Sequence, residues 1–93
     1  MKILILIPSY NDNVHLPELI KKIRQFSNLP IVLLDDGSSV PVSAKQENLN
    51  IIRNDSNLGK GATLKKGFKY AAENSFSHVI TMDSDLQHPP EKI

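Results

Sequence analysis

Ile3-Leu4-Ile5-Leu6-Ile7, closed by Pro8, is a continuous apolar run of mostly β-branched residues. A strand buried on both faces has this composition, and strands buried on both faces belong to parallel sheets covered by helices. The stretch that follows changes period. Leu16, Leu19, Ile20, Ile23 and Phe26 recur at helical spacing, with Lys21, Lys22, Arg24 and Gln25 opposite. Asp12 and Asn13 are candidate caps, and Pro17 fits a first turn. Pro30-Ile31-Val32-Leu33-Leu34 reads as a second buried strand, running into the turn composition Asp35-Asp36-Gly37-Ser38-Ser39.

The remainder continues the alternation. Val40 to Asn48 is polar and irregular and predicts no regular element. Asn50-Ile51-Ile52-Arg53 predicts a short third strand, and Asn54 to Gly61 a loop with two glycines. Ala62, Leu64, Phe68, Ala71 and Ala72 predict the buried side of a second helix ending near Asn74. His78 to Met82 predicts a fourth strand, followed by Asp83. Strand, helix, strand, strand, helix, strand is the order of an α/β layered fold with a mainly parallel sheet. Ligands of such sheets bind beyond the carboxyl ends of the strands. Pro8 to Asp12, Asp35 to Ser39 and Asp83 to Gln87 are therefore expected on one edge.

Composition narrows the function classes. The 93 residues fit one domain, 1–93. Hydrophobic residues at 40% and a net charge of +1 exclude a disordered tail and argue against a nucleic-acid partner. The absence of cysteine removes disulfides, thiolate metal sites and thiol nucleophiles. No apolar run approaches the ~20 residues of a membrane-spanning helix, and Met1-Lys2 lacks the features of a signal peptide. A cytoplasmic protein is expected.

Four clusters are candidates for chemistry. Asp83-Ser84-Asp85 places two carboxylates at a strand end, where like charges ~4 Å apart repel by about 1 kcal/mol even in bulk water. A divalent cation such as Mn²⁺ or Mg²⁺ offsets that repulsion, with Gln87 adding an amide oxygen and a nucleoside diphosphate as the natural partner. The alternative is a solvated acidic loop. Asp35-Asp36-Gly37-Ser38-Ser39 is either a plain turn or a carboxylate acceptor for a base or ribose, with Gly37 permitting close backbone approach. Asn57-Leu58-Gly59-Lys60-Gly61-Ala62 is either a capped loop or an anion site at a helix start, although not in the order of a phosphate loop. Tyr10 either stacks on a base or is an edge residue. His88 is a weak metal candidate beside Pro89-Pro90, and His15 and His78 read as structural.

Taken in order, Ile7-Pro8-Ser9-Tyr10-Asn11-Asp12, Leu34-Asp35-Asp36-Gly37-Ser38-Ser39, Asn57 to Ala62 with Gly67, and Met82-Asp83-Ser84-Asp85-Leu86-Gln87-His88-Pro89-Pro90-Glu91 resemble the family 2 glycosyltransferases of the GT-A type. The last stretch is most similar to the branch of dolichyl- and undecaprenyl-phosphate sugar synthases. The resemblance implies a Rossmann-like GT-A half that binds a UDP- or GDP-sugar, with polyprenyl phosphate as a possible acceptor. It implies that Pro8, Tyr10 and Asp12 line the nucleoside pocket, that Asp36 accepts from base or ribose, and that Lys60 and Asp83 lie near the nucleotide. Asp83, Asp85 and Gln87 are implied as holders of the metal and diphosphate. Two positions depart from the pattern: Asp12 stands where the family usually has Glu, and Val40 where it usually has an acidic residue. The catalytic base is expected beyond Ile93, so this chain reads as a truncated donor-binding part, inactive alone and prone to self-association. The full-length protein is expected in the cytoplasm or at the cytoplasmic membrane surface. Two other readings are a non-catalytic nucleotide-binding or interaction domain and a nucleotidyltransferase. The second of these usually needs a glycine-rich basic signature after the first strand, and Pro8 to Asn13 has no glycine.

Overall fold

The computed structural model describes residues 1–12, 14–42 and 47–83. The elements follow in the order β1 (Ile3–Ser9), α1 (Leu16–Phe26), β2 (Ile31–Asp35), β3 (Leu49–Arg53), α2 (Lys60–Glu73) and β4 (His78–Thr81). The four strands form one sheet in the order β3-β2-β1-β4, and every pairing is parallel. The expected α/β fold is the one found.

β1 is central, which explains its unbroken apolar sequence. Its alternate side chains feed two cores. Ile5 and Ile7 pack with Leu16, Ile20 and Ile23 of α1 and with Ile31 and Leu33. Leu4 and Leu6 pack with Val32, Leu34 and Ala71 of α2, flanked by Leu64, Tyr70 and Phe76. The two helices therefore cover opposite faces.

Pro8 does not stop β1 as its sequence suggests. The strand runs on to Ser9, still in register with Asp35 of β2. On the β4 side the ladder ends at Leu6 opposite Thr81, with Met82 N donating to Leu6 O at 2.9 Å. The proline has no N–H to continue that side. It thus separates β4 from β1 at the end where the two following segments leave the sheet.

The expected stripes hold for Leu16, Leu19, Ile20 and Ile23 of α1 and for Leu64 and Ala71 of α2, and fail at other positions. Phe26, expected on the buried face of α1, is 89% exposed. At about 100° per residue Phe26 lies at least ~80° from the centre of the Leu16, Ile20 and Ile23 stripe, and it is the last residue of α1. In α2 the buried seam is Thr63, Gly67 and Ala71, while Ala62, Phe68 and Ala72 are exposed. Spacing of four selects small residues that admit close approach. A β-carbon on Gly67 would lie 2.8 Å from the side-chain tips of both Leu6 and Leu34.

Candidate functional site

Strands β1, β2 and β3 step outward in one direction, and β4 then returns to the other side of β1. Adjacent strands whose connections run opposite ways leave a crevice between their carboxyl ends. By that rule the crevice is expected between the segment after Ser9 and Met82–Asp83, beside Pro8. The same end of the sheet carries Asp35 and Asp36, so the expected edge exists.

The Asp-Asp turn after β2 is tied inward. Asp35 is buried, and its carboxylate accepts from Ser38 N at 3.0 Å, Val42 N at 2.9 Å and Arg53 Nη1 at 2.7 Å. Asp36 is also buried and accepts from Asn54 Nδ2 (2.9 Å), Asn57 Nδ2 (3.1 Å), Leu58 N (2.8 Å) and Gly59 N (2.9 Å). Burial pushes both carboxyls up. The hydrogen bonds, led by Ser38 and Val42 for Asp35 and by Leu58 and Asn54 for Asp36, outweigh it and hold both below the usual value.

Two oxygens offer about four lone-pair sites, and four protein donors reach Asp36. In this conformation its carboxylate is the staple of the 54–59 loop rather than an open acceptor. The loop ahead of α2, expected as either a capped loop or an anion site, has its Leu58 and Gly59 amides turned to that same carboxylate. Gly37 makes the close approach possible. Its φ is +74°, and a β-carbon there would overlap the backbone of Ser56 and Asn57.

The segment after β1 is fixed by its neighbour. Asn11 N donates to Ser38 Oγ and Ser39 N donates to Asn11 Oδ1, both at 2.8 Å. Tyr10 is half exposed beside them. Asp12, a candidate cap, makes no side-chain cap bond to α1, whose entry is uncapped at His15. Its Oδ1 lies 2.5 Å from His15 Nδ1, while its Oδ2 is buried with no hydrogen-bond partner among the described residues. Ser9 Oγ shares that condition. A buried polar atom left unpaired costs about 1–3 kcal/mol, and among the described residues nothing offsets that cost for these two atoms.

On the far side of the crevice, Lys60 Nζ stands 2.6 Å from Asp83 Oδ1, both side chains well exposed. Pro8, Tyr10, Asp12, Asp36, Lys60 and Asp83 thus all sit on this end of the fold. Asp85 and Gln87 lie outside the described residues. Among the described residues no three His, Cys, Asp or Glu side chains cluster as a metal set. Asp83 itself fits one: it is an exposed hard oxygen donor at a strand end that already draws a cation. Sequence reasoning gave no role of their own to Asp35, Asn11 and Asn54, and read His15 as structural. Asp35 carried a signal, since its adjacency to Asp36 puts alternate strand side chains on opposite faces.

Residues 4–93 match the profile of Glycosyl transferase family 2. The chain belongs to that family. It is 36% identical to a dolichol-phosphate mannosyltransferase of Pyrococcus furiosus, over all of this chain and 28% of that protein. It is 36% identical to an undecaprenyl-phosphate 4-deoxy-4-formamido-L-arabinose transferase of Salmonella paratyphi B, over 99% of this chain and 31% of that protein. An uncharacterised protein of Methanocaldococcus jannaschii is 32% identical over 95% of this chain and 42% of its own length. The chain therefore spans less than half of these relatives. No helix among the described residues is long and apolar enough to cross a membrane.

Proposed function

We propose that this chain supplies the donor-binding half of a glycosyltransferase that moves a sugar from a nucleotide-diphospho-sugar to a polyprenyl phosphate. The crevice between β1 and β4 carries the reading. It is flanked by Tyr10 and Asp12 on one side and by Lys60 and Asp83 on the other. The polyprenyl acceptor rests on the similarity to the two transferases above, and the donor on the family and on the residue types at this edge.

Each residue has a role that its chemistry supports. Tyr10 offers an exposed ring for the base. Asp12 offers a carboxylate oxygen for a hydroxyl or N–H of the nucleoside. Lys60 offers an ammonium to the diphosphate. Asp36 acts at one remove, by holding the Asn54–Gly59 loop that presents Lys60. Asp83, with Asp85 and Gln87, would hold Mn²⁺ or Mg²⁺, which when bound supplies Lewis acidity and charge neutralisation at the diphosphate. In the transfer, an acceptor oxygen forms a bond to the anomeric carbon. The bond from that carbon to the diphosphate breaks, and its electron pair leaves with the nucleoside diphosphate.

The test is a transfer assay with labelled UDP- and GDP-sugars, Mn²⁺ and polyprenyl phosphate, on this chain and on the longest product of its gene. Label entering the lipid fraction, and lost with Asp83→Ala, supports the proposal. Donor binding unaltered by Asp83→Ala, with no label in lipid from either protein, overturns it.

A further inference from the structure

We propose that His15 is a positioning residue for the nucleoside: its ring holds one carboxylate oxygen of Asp12 so that the other faces the bound ligand. The inference rests on the nucleotide-binding reading above and adds a residue to it. A carboxylate at a helix entry ordinarily accepts from the backbone amides of the first turn. Asp12 stands at such an entry, with its carbonyl accepting from His15 N and Leu16 N at 3.2 and 3.3 Å, yet among the described residues its carboxylate caps no backbone amide. The carboxylate is instead held by His15 Nδ1 at 2.5 Å.

That arrangement does little for folding and leaves Oδ2 buried without a partner among the described residues. The Asp12 side chain is only 16% exposed, whereas that of His15 is 45% exposed. The ring therefore props the carboxylate from the solvent side, and the unpaired oxygen is the buried one, in the segment that follows β1. To donate to the Asp12 carboxylate, the ring must carry a proton on Nδ1. The matching ligand group is a donor, a ribose hydroxyl or a base N–H.

The experiment is titration calorimetry of UDP and GDP with Mn²⁺ on the wild type, Asp12→Ala, His15→Ala and His15→Asn, with melting temperatures recorded. Nitrogen NMR of the wild-type His15 ring accompanies it. Asp12→Ala is expected to weaken binding at least tenfold and His15→Ala about threefold to tenfold, as for a partly exposed charge-assisted contact. His15→Asn should bind within about twofold of wild type, since its side-chain N–H stands near the place of Nδ1–H. The ring should show a protonated Nδ1.

Wild-type affinity in His15→Ala, alongside loss in Asp12→Ala, overturns the positioning role and leaves the nucleotide reading standing. So does His15→Asn as weak as His15→Ala, or, should His15→Ala not fold, an unprotonated Nδ1 in the wild type. A wild type that binds neither nucleotide overturns the function and this inference together.

Discussion

Asp35, Asp36 and Gly37 show how three adjacent residues turn a strand end into a scaffold. Asp35 is enclosed by Ser38, Val42 and Arg53, and Asp36 by Asn54, Asn57, Leu58 and Gly59. Removing Asp35 would strand the Arg53 guanidinium and two buried amides. Asp35→Ala should therefore destabilise the protein by about 3 kcal/mol or more, read in a urea melt. Asp36→Asn should lower stability as well as nucleotide affinity, because an amide cannot accept from all four donors; lost affinity at unchanged stability would instead make Asp36 a direct ligand contact. Both carboxyls are held below their ordinary value in the folded state. Depressed folded values mean the stabilisation is fully present above the unfolded value, near pH 4, and is lost as pH falls through the folded ones. Stability should be flat near neutrality and fall below about pH 4, with a shallower fall in the Asp36→Asn variant. Gly37→Ala should cost more than the ~1–2 kcal/mol of a positive φ alone, because backbone rather than a flexible side chain meets the new carbon.

At the scale of elements, the buried side of α2 is a run of small residues, and its glycines can be told apart. Gly67 faces the tips of Leu6 and Leu34, so Gly67→Val should push the helix off the sheet and cost about 1–3 kcal/mol. Gly61 meets nothing within 4 Å and has no positive φ. Gly61→Ala should therefore raise stability by up to ~1 kcal/mol through helix propensity. Equal effects at the two positions, in thermal melts, would refute the packing of α2. The strands were legible because a parallel central strand must be apolar on both faces, and Ile3 to Ile7 and Ile31 to Leu34 are. The helix faces were less so. Hydrophobicity pointed to Phe26 and Phe68, but close approach to a sheet selects Thr63 and Gly67 beside the expected Ala71, and those two carry little hydrophobic signal.

For the whole molecule, the strand order β3-β2-β1-β4 is what gathers distant segments. Residues 8–12, 35–39, 60 and 83 meet only because the chain reverses direction across β1. The order of elements announced that edge, and the motifs named Tyr10, Asp12, Lys60 and Asp83 on it. Partners at long range were not legible: nothing in the local sequence says that Asn54 reaches Asp36 or that Asn11 locks to Ser38 and Ser39. The central claim is that this edge is a nucleoside-diphosphate site completed by a divalent cation at Asp83. Its most direct test is a thermal-shift series of UDP and GDP, with Mn²⁺ and with EDTA, on wild type and Asp83→Ala. At ligand ~100 times its dissociation constant, the wild type should gain about 2.7 kcal/mol with Mn²⁺ for at least one nucleotide. It should gain nothing in EDTA, and Asp83→Ala should gain nothing in either. An equal shift in EDTA, or an undiminished shift in Asp83→Ala, would contradict the account.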